Sequence, residues 1–298
     1  MAKVYANPGI YIEEKSAFPN SAVPVATAVS AFIGYTQKAT RDNKDLSNLP
    51  TRISSFGEYL LYFGEGPDTK YGLAVSADKQ RRFELSIKPG TRFLLFYSMK
   101  LFFANGGSDC YVVSIGNYSS KPILADFNVE IDVHGAISLK GIATLQKEPE
   151  PTILVIPEAM LLGGNDCTAL QQLMLGHCAK MASRLSILDV FMDENDTEKP
   201  DTRKIVQDFR EKIGDQNLKW GAAYYPWLHT NITGADAVNF RQVDRGYWDT
   251  MITLLLAEVV ENESKGLDKK HVERWVYRAS VLTKRSTKRK KYSAQIMQ

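Results

Sequence analysis

Apolar residues arrive along this chain in two rhythms. Short, nearly unbroken runs at 110–115, 152–156, 185–190 and 220–225 have the length and composition of strands buried on both faces. In the stretches 92–104, 168–183, 202–213, 247–260 and 272–283 apolar positions recur at helical spacing, which predicts helices. In the last of these, Val272, Trp275, Val276, Ala279 and Leu282 share one face and Lys and Arg hold the other. Strands separated by helices predict an α/β (α+β) fold, a mixed sheet with parallel pairs covered by helices on both faces.

Punctuation between the runs refines this picture. Ser55-Phe56-Gly57-Glu58 has the spacing of a capping box opening a short helix that Gly64 ends. Asn105-Gly106-Gly107 supplies a left-handed stop between the helix at 92–104 and the strand at 110–115. The order helix, glycine turn, strand is the reverse of a phosphate-binding loop. Between 119 and 150 the pattern breaks into shorter strand candidates, 127–133 and 136–139, turned by His134-Gly135, as in a small β-hairpin insertion. The acidic run at 193–198 lacks the glycine and the distal glutamate of a calcium loop and reads as a solvated loop. At the start, residues 4–14 read as an extended strand bent at Pro8-Gly9, with little apolar surface to bury locally. Such a strand belongs either to the edge of its own sheet or to a sheet supplied by another chain.

Composition adds limits. At 298 residues, 44% hydrophobic and 24% charged, the chain can build one large or two modest domains with a real core. Cys110, Cys167 and Cys178 are odd in number and lack CxxC spacing, which argues for buried thiols over a disulfide framework or a zinc site. The formal charge of +3 hides an asymmetry: residues 269–291 hold ten Lys or Arg against one acid, Glu273, so that window is +9 and the rest of the chain is −6. A basic block of this kind suits an acidic protein surface, nucleic acid or a solvated helix face.

Catalytic patterns do not emerge. His134, His177, His229 and His271 are scattered without metal-ligand spacing. His177 stands beside Cys178, but neighbours on a helix point about 100° apart, so the two cannot pair as a nucleophile and its base. Glu158 follows Pro157 at the end of a buried strand, where α/β enzymes place chemistry. With no partner carboxylate and no GxSxG, it reads as a helix-start or loop residue.

The segments PGIYIEE (8–14), PVATAVSAFIGYT (24–36), ISSFGEY (53–59) with Phe63-Gly64, LFFANGGSDCYVV (101–113), PTILVIPE (151–158), RLSILD (184–189) and YYPWL (224–228) follow one another in order. In this series the chain resembles the contractile tail sheath family of phage tails, tailocins and extracellular contractile injection systems, over about three quarters of its length. The resemblance implies an arm over 1–22, a sheath α/β domain over 23–228 with its hairpin insertion, and a helical basic segment over 229–298 leading to a C-terminal sheath module that this chain does not show. It implies a non-enzymatic structural subunit with no cofactor, no metal, no small-molecule substrate and no membrane insertion. Its partners would be copies of itself in stacked hexameric rings, an inner tube protein, and baseplate and terminator proteins. Assembly would take place in the bacterial cytoplasm. The arm positions implied in strand exchange between subunits are Val4, Tyr5, Pro8, Gly9, Ile10, Tyr11, Ile12, Glu13 and Glu14. Lys284, Arg285, Lys288, Arg289, Lys290 and Lys291 are candidates for electrostatic contact, and they also carry the rival expectation of a nucleic-acid-binding protein.

Overall fold

The computed structural model describes residues 28–76, 83–133, 136–192, 201–234 and 239–264. In chain order the elements are β1 (Ser30–Tyr35), β2 (Thr40–Arg41), β3 (Lys44–Asp45), β4 (Thr51–Ile53), α1 (Phe56–Phe63), β5 (Tyr71–Val75), β6 (Phe83–Ile87), α2 (Leu95–Ala104), β7 (Cys110–Gly116), β8 (Asn128–Val133), β9 (Ala136–Gly141), β10 (Ile153–Val155), α3 (Gly164–Met181), β11 (Leu185–Asp189), α4 (Thr202–Ile213), β12 (Gly221–Tyr224) and α5 (Trp248–Ser264).

Six strands form the central sheet in the order β12-β11-β10-β1-β7-β4. All neighbours are parallel except β4, which runs antiparallel to β7 at the edge. This is the mixed α+β architecture, a multi-strand sheet flanked by helices, that the two hydrophobic rhythms predict.

β1 sits at the centre because it can bury every side chain: all six residues are buried. Its pleat serves two cores at once. Ala31, Ile33 and Tyr35 join Val113, Leu154 and the α3 residues Leu170, Met174 and Cys178 on one face. Phe32 joins Val112, Ile53, Tyr59 and Phe63 of α1, and Leu95 and Met99 of α2 on the other. Each Val, Leu, Ile, Phe or Met among them, fully buried, contributes about 1.5–3 kcal/mol relative to exposure.

Local signals act with two corrections. Ser55 accepts the Glu58 N–H, as its spacing predicts, but the Glu58 carboxylate reaches Ser54, taking its N–H at 2.6 Å, so the box is not reciprocal on one residue. The second helix begins at Leu95 and not at 92, because Leu94 offers no side-chain cap and the free N–H groups are met from elsewhere. It ends at Ala104, capped by Asn105, with Gly106 at φ +85, the left-handed stop. The β8–β9 hairpin falls where the insertion was expected, its turn at 134–135 lying outside the described residues. A second ribbon, β5 with β6, has no counterpart in the sequence reading.

Candidate functional site

In a sheet of this kind the place that topology reserves for a ligand is the crevice outside the carboxyl ends of the strands, where the chain changes direction of winding. Here the winding passes from β1 outward through β4 and β7, then returns to β10 on the other side of β1. The crevice therefore lies beyond the ends of β1 and β10, at Gly34 and at the short 3-10 turn Pro157–Leu161.

Glu158 fills it. The side chain is wholly buried, and its Oε1 accepts the backbone N–H of Leu95 at 2.9 Å and of Leu94 at 3.3 Å, the first turn of α2. A helix start presents free N–H groups and partial positive charge, so it ordinarily attracts an anion. This carboxylate takes the place such an anion would hold. It lies directly on Gly34: a Cβ there would come within 2.4 Å of Oε2, so no other residue fits without displacing the carboxylate. Phe93 packs between Tyr35 and Tyr118, with ring centroids 5.4 and 4.7 Å apart, and closes the crevice with aromatic surface. The Tyr35 hydroxyl donates to Asp126.

The electrostatics are those of a sealed site. Burial raises Glu158 from 4.5 to about 7, against the opposing pull of the N–H groups of Leu95, Glu158 itself, Leu94 and Tyr35. Its second oxygen is buried without a hydrogen bond of ordinary geometry. Sequence reading placed Glu158 as a helix-start or loop residue; it stands in the turn after β10, but its carboxylate caps a different helix more than sixty positions away. The signal for this was Gly34, an isolated glycine inside a strand pattern, which marks close approach of another group.

A second buried polar cluster ties α3 to the end of the hairpin insertion. Arg184 is 3% exposed and donates to the carbonyls of Leu145, at 3.0 Å, and Glu148, with the His177 Nε2 also 3.0 Å away. Burial first, and the Arg184 charge second, push His177 down to about 4. Cys178 turns instead to Ser186, Sγ to Oγ 3.0 Å, and burial raises its thiol. The two neighbours thus have separate partners, and a thiolate nucleophile is disfavoured at Cys178. Cys110 and Cys167 are also free and buried.

Beyond the end of β11 lies a cleft of about 290 Å³, bordered by Gly164, Thr168, Phe191, Ile205, Asp208 and Phe209. The deepest polar group at its wall, Gln171, is already committed to the Asp189 carbonyl at 2.7 Å. Among the described residues no group of three His, Cys, Asp or Glu is placed to hold a metal ion, and no helix is long and apolar enough to cross a membrane.

The outside of the molecule differs in kind. All five residues of β6 are exposed, and Phe83, Leu85 and Ile87 share one face with Val75 of β5. Val75 is 63% exposed, and Phe83 and Leu85 each 49%. On that same face Leu73, opposite Leu85, is buried at 6% exposed, so the face is covered at its β5 side and open at Val75, Phe83 and Leu85; on the opposite face Gly72 is approached by Tyr247, while Ala74, Glu84 and Ser86 are exposed. The tail of β12 is partly anchored: Trp227 donates to the Val190 carbonyl at 3.0 Å, while Leu228 is 83% exposed.

The predicted arm residues, Val4 to Glu14, and the cations from Lys284 to Lys291 lie outside the described residues, as do the helix expected at 272–283 and the acidic run at 193–198. No protein-family model matches the chain, and no curated protein matches it.

Proposed function

We propose that this chain is a structural subunit of a contractile tail sheath, assembling with its copies as hexameric rings stacked around an inner tube. The observation that carries the reading is the ordered series of segments from PGIYIEE to YYPWL. The placement of those among the described residues supports it: they fall on β1, on α1, on the α2–β7 corner, on β10 with its turn, on β11 and at the end of β12, in and around the central sheet. FIGYT and PTILVIPE, far apart in sequence, supply Gly34 and Glu158 and so meet at one contact. A crevice filled by the chain's own carboxylate and aromatics also agrees with a mechanical role, since the position α/β proteins use for ligands is spent on internal packing.

On this reading residues 4–14 lend a strand to a neighbouring subunit, and backbone hydrogen bonds keep copies linked while their domains move as bodies. The energy of contraction is the packing difference between two lattices, held in the extended form at assembly. Inner tube, baseplate and terminator proteins are the partners, and the particle is assembled in the bacterial cytoplasm. Negative-stain microscopy of the expressed chain tests this: striated cylinders or stacked rings are expected. A dispersed monomer with a turnover activity that Glu158→Gln abolishes without unfolding would overturn it.

A second reading rests on the ten cations of 269–291. It makes the chain a nucleic-acid-binding protein whose affinity falls steeply with salt and disappears when Lys288, Arg289, Lys290 and Lys291 are neutralised.

A further inference from the structure

The cleft beyond the end of β11 lies between two helices. α3 brings Gly164, Thr168 and Gln171 to it, and α4 brings Ile205, Asp208, Phe209 and Lys212, each set at the three- and four-residue spacing of a single helix face. Phe191 lines it as well, and Gly164 makes room for that ring: a Cβ there would come within 3.3 Å of it. Phe191 and Phe209 pack against the main core but stay half-buried, so part of each ring remains uncovered. Gln171, only 2% exposed, spends its amide NH2 on the Asp189 carbonyl, which fixes the group and leaves its oxygen to accept. Thr168 likewise donates its hydroxyl to the Gly164 carbonyl, at 2.9 Å, and keeps its acceptor lone pairs. Asp208 and Lys212 stand one turn apart on α4, where opposite charges ordinarily pair. Among the described residues no ion pair joins them.

We propose that this cleft binds a free aromatic α-amino acid, with its ring against Phe191 and Phe209, its ammonium on Asp208 and its carboxylate on Lys212. Three features select this class. A volume of about 290 Å³ is at the small end of ligand sites and suits one ring with a short polar group. The apolar wall is largely aromatic, which favours a ring over a branched chain. The polar groups are three acceptors, the Asp208 carboxylate with the Gln171 and Thr168 oxygens, and one cation, Lys212. That set complements an ammonium with three N–H donors beside an acid. An acid without the amine would leave Asp208 against an apolar ring, and an amine without the acid would leave Lys212 without a counter-charge. The cleft shares no residue with the Glu158 crevice, and the proposal does not depend on the assembly reading. The ligand is held and not converted, so a structural role for the chain is not contradicted.

The test is saturation-transfer NMR with calorimetry on the full chain, using L-phenylalanine at up to about 10 mM, beyond the weak end of specific affinities. Binding is expected. It should weaken about tenfold for 3-phenylpropanoate, which lacks the ammonium, for 2-phenylethylamine, which lacks the carboxylate, and for L-alanine, which lacks the ring. Asp208→Asn and Lys212→Met should each weaken L-phenylalanine by a similar factor with the thermal midpoint unchanged, since Asp208 is half-buried, Lys212 is exposed, and neither is in an ion pair among the described residues. The ligand series needs no substitution, so it decides the question even where a variant folds poorly. No binding of L-phenylalanine at the top concentration would overturn the proposal. So would 3-phenylpropanoate or 2-phenylethylamine binding as tightly as the amino acid, or binding that both substitutions leave intact, which would put the ligand elsewhere on the chain. None of these results bears on whether the chain forms cylinders.

Discussion

The crevice at Glu158 and the ribbon at β6 are opposites. In the first, the fold's customary ligand position is packed with the chain's own groups: a carboxylate on the start of α2, a glycine that makes room for it, and an aromatic lid. In the second, large apolar side chains that a monomer would bury stand in water. The contrast places exposed apolar surface at the outer edge of the molecule and close packing at its topological centre. An enzyme of this architecture distributes these the other way, with an open crevice and a covered surface.

The largest effect should come from opening the lid. Phe93 is 1% exposed between two tyrosines, and Phe93→Ala is expected to cost roughly 3–5 kcal/mol in chemical denaturation. A loss under about 1 kcal/mol would mean that the crevice is loosely filled, and the contrast with the ribbon would collapse.

Next comes the buried carboxylate, read by pH. Glu158 is raised from 4.5 to about 7 in the folded chain, so the fold binds its proton more tightly than the unfolded chain does. Its stabilising contribution is full below pH 4.5 and is lost as pH rises to about 7, by roughly 3 kcal/mol in total. His177 acts in the reverse sense. Lowered from 6.5 to about 4, it contributes stability above pH 6.5 that is lost as pH falls toward 4. The net profile mixes the two, so the useful measurement is the difference between the parent and Glu158→Gln. The amide keeps an acceptor for Leu94 and Leu95 and carries no charge. Near pH 4 the two proteins should be close in stability, and above pH 7 the variant should be the more stable. A difference that does not change with pH would show that the carboxylate is not held in a sealed site.

These two regions also mark what the sequence made legible. The central sheet could be read because a strand buried on both faces, such as β7 with Cys110–Val113, is nearly unbroken in apolar residues, and α4 could be read because its apolar positions recur at helical spacing. The Glu158 contact was not readable as a contact, since it joins residues brought together only by winding order; Gly34 and Pro157-Glu158 were visible, their meeting was not. The β6 ribbon was missed for a different reason. Its Phe-Glu-Leu-Ser-Ile alternation is plain, but at five residues it is short, and among the described residues Phe83, Leu85 and Ile87 stay exposed. The arm residues Val4 to Glu14 and the cations Lys284 to Lys291, the contact residues that the sequence reading named, lie outside the described residues.

The smallest expected effect on the monomer is also the sharpest discriminator. Leu85→Lys replaces a residue that is half exposed on an edge strand, so it should change the stability of the isolated chain by no more than about 0.5 kcal/mol. Lysine on an exposed apolar edge is a common device for blocking association there, because its charge must be buried when a partner arrives. The same substitution should therefore abolish association while the denaturation midpoint stays where it was. If instead the midpoint falls by 2 kcal/mol or more on the scale of core truncations, Leu85 is part of a covered core within the chain and the ribbon is not an open surface. If neither stability nor association changes, β6 is an ordinary solvated edge, and the apolar face that distinguishes it from the sealed crevice has no partner to explain it.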